Sequence, residues 1–215
     1  MQISVASKGI NEWSGSVLIS GVLEGTIESQ ANLFNTLIKN NLLIQKFDDS
    51  KFEGKKNQRL SIELIEGDIK KIIFVGLGKV ENLQIDDLRK AASYGTRQVL
   101  GNGRKLGISF PWDKFDASSA AFAVGEAVKL TTIKDLRFKS EPKELTPIKE
   151  VELIGLDVKE TELAIAEINP ICEGVKFARE LVSAPPNFLT PHQLAREAEK
   201  LSSDYDLDLK ILGTK

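Results

Sequence analysis

Apolar and polar positions change their period several times along the chain, and each change marks an element. Ile3 to Ala6 and Ser16 to Leu23 are runs rich in β-branched residues, separated by the turn-forming cluster Asn11-Glu12-Trp13-Ser14-Gly15. From Gln30 to Leu43 the apolar residues fall four apart, Leu33 with Leu37 and Phe34 with Ile38. That spacing predicts one amphipathic helix, followed by a polar loop over 48–58. Leu60 to Ile65 alternates with period two, as a half-buried strand does. Lys71-Ile72-Ile73-Phe74-Val75 is apolar and β-branched without alternation, which predicts a central strand covered on both faces.

The second half of the pattern is helical for longer stretches. Asp86 to Leu100 carries Leu88, Ala92, Gly95 and Val99 on one face, and Ala117 to Leu130 carries Ala120, Val124, Ala127 and Val128. Both stripes are made of small residues, so both helices can lie close to a sheet. Asp116, or a serine after it, supplies the N-cap of the second. Leu106 to Phe110 is a short strand stopped by Pro111, Lys139 to Lys143 has the composition of a linker, and Glu150 to Leu156 is a further strand. Strands in rotation with helices predict an α/β layered domain.

From Lys159 the character changes. Thr161 to Ser183 keeps an apolar stripe through Ala164, Ile168, Ile171, Val175, Ala178 and Val182, in phase across Pro170. A kinked or bipartite helix is therefore predicted rather than a loop. Ala184-Pro185-Pro186-Asn187 breaks it. Thr190-Pro191-His192-Gln193 is a capping box, with Thr190 at the N-cap, Pro191 at the first helical position and Gln193 reaching back. Leu189 and Leu194 occupy the positions of a hydrophobic staple, so a helix is expected from Pro191 to about Ser202. Leu207 to Leu212 alternates as a strand. A helix and one strand cannot bury their faces alone, so residues 160–215 read as the beginning of a second domain whose remainder lies outside the chain.

Composition narrows the chemistry. With 41% hydrophobic and 28% charged residues over 215 positions, a sizeable core is available. One Cys and one His exclude a disulfide framework and a Cys/His zinc site. A formal charge of −2 argues for neither a nucleic-acid nor a membrane-surface partner. Met1 to Ala6 lacks the basic start and apolar core of a secretory signal, which points to a cytoplasmic protein.

The candidate motifs read mostly as structure. Gly76-Leu77-Gly78-Lys79 follows a strand, but Val80 and Glu81 stand where a P-loop needs Ser/Thr and a dinucleotide fingerprint needs Gly, so a tight turn is the reading. His192 sits near a helix start, where the dipole disfavours a cation, and no second His or nearby Cys joins it. Cys172 has no His near it in sequence and reads as a small buried residue. Lys51, Lys55, Lys56 and Arg59 around Phe52 read as a solvated basic loop. Asp86-Asp87 and Glu197-Glu199 read as helix-start and helix-face charges. No catalytic, cofactor-binding or metal-ligating residue emerges.

Residues 177–191, Phe-Ala-Arg-Glu-Leu-Val-Ser-Ala-Pro-Pro-Asn-Phe-Leu-Thr-Pro, resemble the interdomain signature of the leucyl aminopeptidase (cytosol aminopeptidase) family. Ala178, Arg179, Leu181, Val182, Pro185, Pro186, Asn187, Thr190 and Pro191 match, and Ser183 departs where Asn is usual. Val75 to Lys79 and Leu88 to Ala92 are similar to the family's N-terminal domain. The resemblance implies a three-layer α/β/α, macro-like, non-catalytic domain over 1–157, a connecting helix over 158–183, and the start of a metallopeptidase domain over 184–215. It implies a cytoplasmic parent, typically a homo-hexamer, that releases N-terminal residues, leucine favoured, from peptides. Two divalent ions, manganese or zinc, held by carboxylates and a lysine, serve that chemistry. The family's metal-binding Asn-Thr-Asp-Ala-Glu-Gly-Arg stretch is absent from this sequence, so the chain alone is expected to bind no metal and to be inactive. The alternative is a macro-like module that binds an ADP-ribose-type ligand near Gly76 to Lys79, or that assembles an oligomer.

Overall fold

The computed structural model describes residues 1–100, 105–141 and 146–213. The chain divides into two compact units, residues 1–172 and residues 173–215. Pro142 and Lys143 of the expected linker lie outside the described residues.

The first unit is built on a six-stranded sheet. Its strands are β1 (Gln2–Val5), β2 (Val17–Leu23), β3 (Arg59–Glu63), β4 (Lys71–Gly78), β5 (Lys105–Ser109) and β6 (Glu150–Leu153). Their order across the sheet is β1-β6-β5-β2-β4-β3. All neighbours are parallel except β3, which pairs antiparallel with β4. The helices are α1 (Ile27–Leu33), α2 (Asn40–Asp49), α3 (Ile85–Val99), α4 (Ala117–Thr132), α5 (Val158–Ser183) and α6 (Pro191–Tyr205).

Successive residues of a strand face opposite sides of its sheet, and here both sides are covered. Leu18, Ile72 and Phe74 join Phe34, Leu43 and Phe47 of the α1–α2 side in one core. Ile19, Ile73 and Val75 join Leu88, Ala92, Val124 and Val128 of α3 and α4 in another. That double covering is why 71–75 carries no polar alternation. The result is the expected three-layer α/β/α arrangement. The small-residue stripes do what their size allows. A Cβ added at Gly95 would come within 2.5 Å of the Ile19 side chain, and beside the second stripe one at Gly125, a position the spacing did not single out, would come within 2.3 Å of Ile168.

Both tryptophans are fixed by their indole N–H. Trp13, 6% exposed, donates to the Glu152 carboxylate at 2.6 Å, and Trp112, 7% exposed, donates to the Ile154 carbonyl at 2.8 Å. The Asp116 carboxylate accepts from the Ser119 N–H at 2.8 Å and caps α4. That bond holds the Asp116 carboxyl below the usual aspartate range.

Two expectations fail. The helix expected over 30–43 is two helices, α1 and α2, interrupted between them, and the second runs to Asp49 into the expected loop. Asparagines compete for the backbone there: Asn35 Oδ1 accepts from the Asn40 N–H at 2.9 Å, and Asn32 bonds the Asn40 side chain. The break still lets Phe34 and Leu43 be fully buried. The strand expected over 207–212 does not form, and these residues have no regular structure. Alternation supplies a face but no ladder, and a strand exists only through its hydrogen-bonded neighbour.

α5 runs unbroken through Pro170, where the missing proline N–H removes one helical hydrogen bond. Of its predicted stripe, Ala164 and Ile168 are buried, joined by Cys172 from outside the stripe, while Ile171 is exposed and Val182 is 88% exposed. In the second unit, α6 starts as expected: Thr190 Oγ1 accepts from the Gln193 N–H, with Pro191 at the first position. Only half of the box forms, because Gln193 Nε2 donates to the Glu197 carboxylate at 2.8 Å instead of reaching back. α6 ends at Tyr205, slightly beyond the expected stop, with Asp206 left-handed at φ 51°.

Candidate functional site

The structure disperses most of the candidate residues. Gly76 and Gly78 end β4, and their N–H groups are spent on neighbouring chain: Gly76 donates to the Gln58 carbonyl at 2.8 Å and Gly78 to that of Gly54 at 2.9 Å. A Cβ at Gly76 would lie 2.1 Å from the Lys55 carbonyl oxygen, so glycine is required there by close backbone approach. Gly78 has φ +79°, the left-handed region that glycine adopts without cost. The turn reading holds, and neither N–H is directed at an anion. At the strand ends nearby, Leu77 and Phe110 fill the space beside Gly21.

Cys172 is fully buried on α5, and His192 is exposed near the start of α6. Glu197 accepts from Gln193, with Lys200 Nζ 3.5 Å away, and Glu199 is exposed on the same helix. Among the described residues, no group of three or more His, Cys, Asp or Glu side chains could hold a metal ion.

The basic loop is more ordered than its composition suggests. Phe52 is core, stacked on Phe47 with ring centroids 5.3 Å apart. Gln58 organises the segment: its Oε1 accepts from the Glu53 and Lys55 N–H groups, and its Nε2 donates to the Lys51 carbonyl. Lys55 pairs with Glu53, whose hydrogen bond raises the lysine's pKa above its ordinary value. Lys51, Lys55 and Lys56 are exposed, as expected of a solvated loop.

That loop and α3 form the two walls of a cleft of ≈ 330 Å³, floored by β4 at Val75 to Leu77. Lys56 Nζ reaches across it to Asp87 at 2.6 Å. Asp87 is 5% exposed and also accepts from the Gln84 N–H, closing a capping box at the start of α3. The Arg59 guanidinium lies 3.7 Å from the centroid of the Tyr94 ring. Asp86 pairs with Lys90 at 2.9 Å, and the hydrogen bond lowers the Asp86 pKa and raises that of Lys90. Arg89 pairs with Glu126 of α4 at 3.2 Å. The carboxylates Asp86 and Asp87 are thus helix-start charges, as read. Sequence reasoning missed the cleft itself. The signal was the polar face of α3, where Arg89, Ser93 and Arg97 recur every fourth residue opposite the small-residue stripe.

A mostly parallel sheet covered by helices on both faces, followed by a long helix and a second capped helix, defines the class: a three-layer α/β domain with a helical extension. The sequence pattern of the "Cytosol aminopeptidase family, N-terminal domain" matches residues 19–142, and the chain belongs to that family. A Prochlorococcus marinus (strain MIT 9211) protein named "Probable cytosol aminopeptidase" is 45% identical over 213 residues, covering 99% of this chain. The like-named protein of strain MIT 9313 is 38% identical over 212 residues, again covering 99% of this chain. The chain spans 43% of the length of each. Among solved structures, a variant of tomato leucine aminopeptidase matches with TM-score 0.82 and 26% identity, over 96% of this chain and 43% of its own. The bottromycin maturation enzyme BotP, solved in complex with Mn, shares the fold at TM-score 0.66 and 23% identity, over 91% of this chain and 38% of its own.

Proposed function

We propose that residues 1–157 are the non-catalytic N-terminal domain of a metal-dependent leucyl aminopeptidase, that residues 158–183 are its connecting helix, and that residues 184–215 begin its catalytic domain. The parent hydrolyses N-terminal residues, leucine favoured, from peptides in the cytoplasm as a homo-hexamer. Its two divalent ions, manganese or zinc, activate water and polarise the scissile carbonyl. Their ligands belong to the part of the parent that this chain does not contain, so the chain alone does not turn over substrate.

One observation carries the reading. Similarity to aminopeptidases runs through both units, yet none of the described residues from 173 to 213 is buried. Val182, Phe188, Leu194, Leu207, Leu209, Ile211 and Leu212 are all exposed, an apolar set that needs further structure to cover it.

The test has two arms. The chain, incubated with leucyl-p-nitroanilide and Mn²⁺ or Zn²⁺, is expected to release nitroaniline no faster than metal alone. Turnover above that blank overturns the proposed inactivity. The coding DNA beyond Lys215 is expected to encode the Asn-Thr-Asp-Ala-Glu-Gly-Arg stretch, and an immediate stop codon overturns the proposed parent.

A further inference from the structure

The cleft between the basic loop and α3 is unused by the peptidase reading, and its charges do not cancel. Five basic side chains line it, Lys56, Arg59, Arg89, Lys90 and Arg97, against one acid, Asp87. Three of the five have carboxylate partners: Lys56 with Asp87, Lys90 with Asp86, and Arg89 with Glu126. Among the described residues, Arg59 and Arg97 make no such pair. Arg59 is nonetheless held in place. Its guanidinium stacks on Tyr94, which restrains the plane and leaves the N–H edges for acceptors lying in that plane. Tyr94 and Arg97 are three apart on α3 and so are neighbours on its surface. One arginine is thus presented from the strand wall and the other from the helix wall.

We propose that this cleft binds the phosphate group of a small phosphorylated molecule, held between Arg59 and Arg97. The two uncompensated positive charges match a phosphate dianion, whereas a carboxylate would neutralise only one. Arginine presents paired N–H donors in a geometry that fits phosphate oxygens. The ≈ 330 Å³ of space exceeds what a bare ion fills and lies at the small end of ligand pockets, which begin at about 300 Å³. The proposal stands on these residues alone and is independent of whether the parent is a leucyl aminopeptidase.

The experiment is a titration of the ¹⁵N-labelled chain with inorganic phosphate, and separately with acetate, at constant ionic strength, read by amide shifts. Constant ionic strength matters because exposed charges are screened within a Debye length of roughly 10 Å at 0.1 M salt. Saturable shifts are expected at the amides of Tyr94 and Arg97 with phosphate and not with acetate. Arg97→Gln, an exposed change that leaves every ion pair named above intact, is expected to weaken phosphate about tenfold. The double variant Arg59→Gln/Arg97→Gln is expected to abolish saturation while keeping the wild-type circular dichroism spectrum. Any of three results overturns the proposal: no saturable shift with phosphate, equal affinity for acetate, or an Arg97→Gln variant that binds phosphate like the wild type.

Discussion

In residues 1–172, helix α4 buries seven of its sixteen residues, whereas α6 in residues 173–213, fifteen residues long, buries none. Both start on an oxygen-bearing N-cap side chain, Asp116 and Thr190, that accepts from the backbone three residues on. Local signals of equal quality therefore specify where each helix begins. What differs is the support behind it, and tertiary packing supplies most of a helix's stability. The strand-like stretch 207–212 carries the same lesson further, because a strand without a neighbour has no hydrogen-bonded partner at all.

Substitutions can sharpen this contrast. The largest effect is expected at Phe74, fully buried, with ring centroids 5.1 Å from both Phe34 and Phe47. Phe74→Ala is expected to lower the unfolding free energy of the first unit by about 3–5 kcal/mol, measured by urea denaturation. A loss below about 1 kcal/mol would mean that this core is less well packed than its burial indicates. Thr190→Ala removes the side-chain bond at the α6 N-cap and is expected to cost about 0.5–2 kcal/mol in the intact parent. In the chain itself the readout is amide exchange of α6, which should quicken while that of α4 stays unchanged.

Asp116 gives a smaller, pH-dependent effect. Its carboxyl is held below the ordinary range by the Ser119 N–H, so it contributes stability above the unfolded value of about 3.9 and loses it as pH falls through the folded value. Asp116→Asn keeps a capping oxygen without the titration. The wild-type chain should therefore lose stability relative to this variant as pH falls below the ordinary aspartate range of about 4, and parallel acid-denaturation curves would refute the assignment. The smallest effect is expected at Leu212, which is 82% exposed. Leu212→Ser should leave the urea midpoint of the chain within about 0.5 kcal/mol of wild type. A larger loss would show that the second unit has an apolar core after all.

Much of the first unit was legible because its signals are local or periodic. Lys71 to Val75 announced a strand covered on both faces, and Gly95 in the small-residue stripe of α3 announced close helix packing that its neighbour Ile19 makes explicit. The break between α1 and α2 was hidden because the four-residue spacing of Leu33 with Leu37 and Phe34 with Ile38 is compatible with one helix. Asparagine side chains at 32, 35 and 40 decide otherwise. The cleft was illegible for a different reason. Its walls come from residues 56–59 and 87–97, and only the folded sheet brings Arg59 over Tyr94 and Lys56 to Asp87. The Gln84-x-x-Asp87 pattern could have been read as a capping box, and it would have fixed one wall.

The placement of the indoles has an optical consequence. Trp13 and Trp112 are the chain's two tryptophans, and both sit buried in the first unit with their N–H groups bonded. Tryptophan emission, excited at the red edge where tyrosine does not absorb, therefore reports the melting of residues 1–172, whereas α6, which carries Tyr205 but no tryptophan, is followed by far-ultraviolet dichroism. Two spectroscopic transitions that fail to coincide would reveal the second unit loosening on its own.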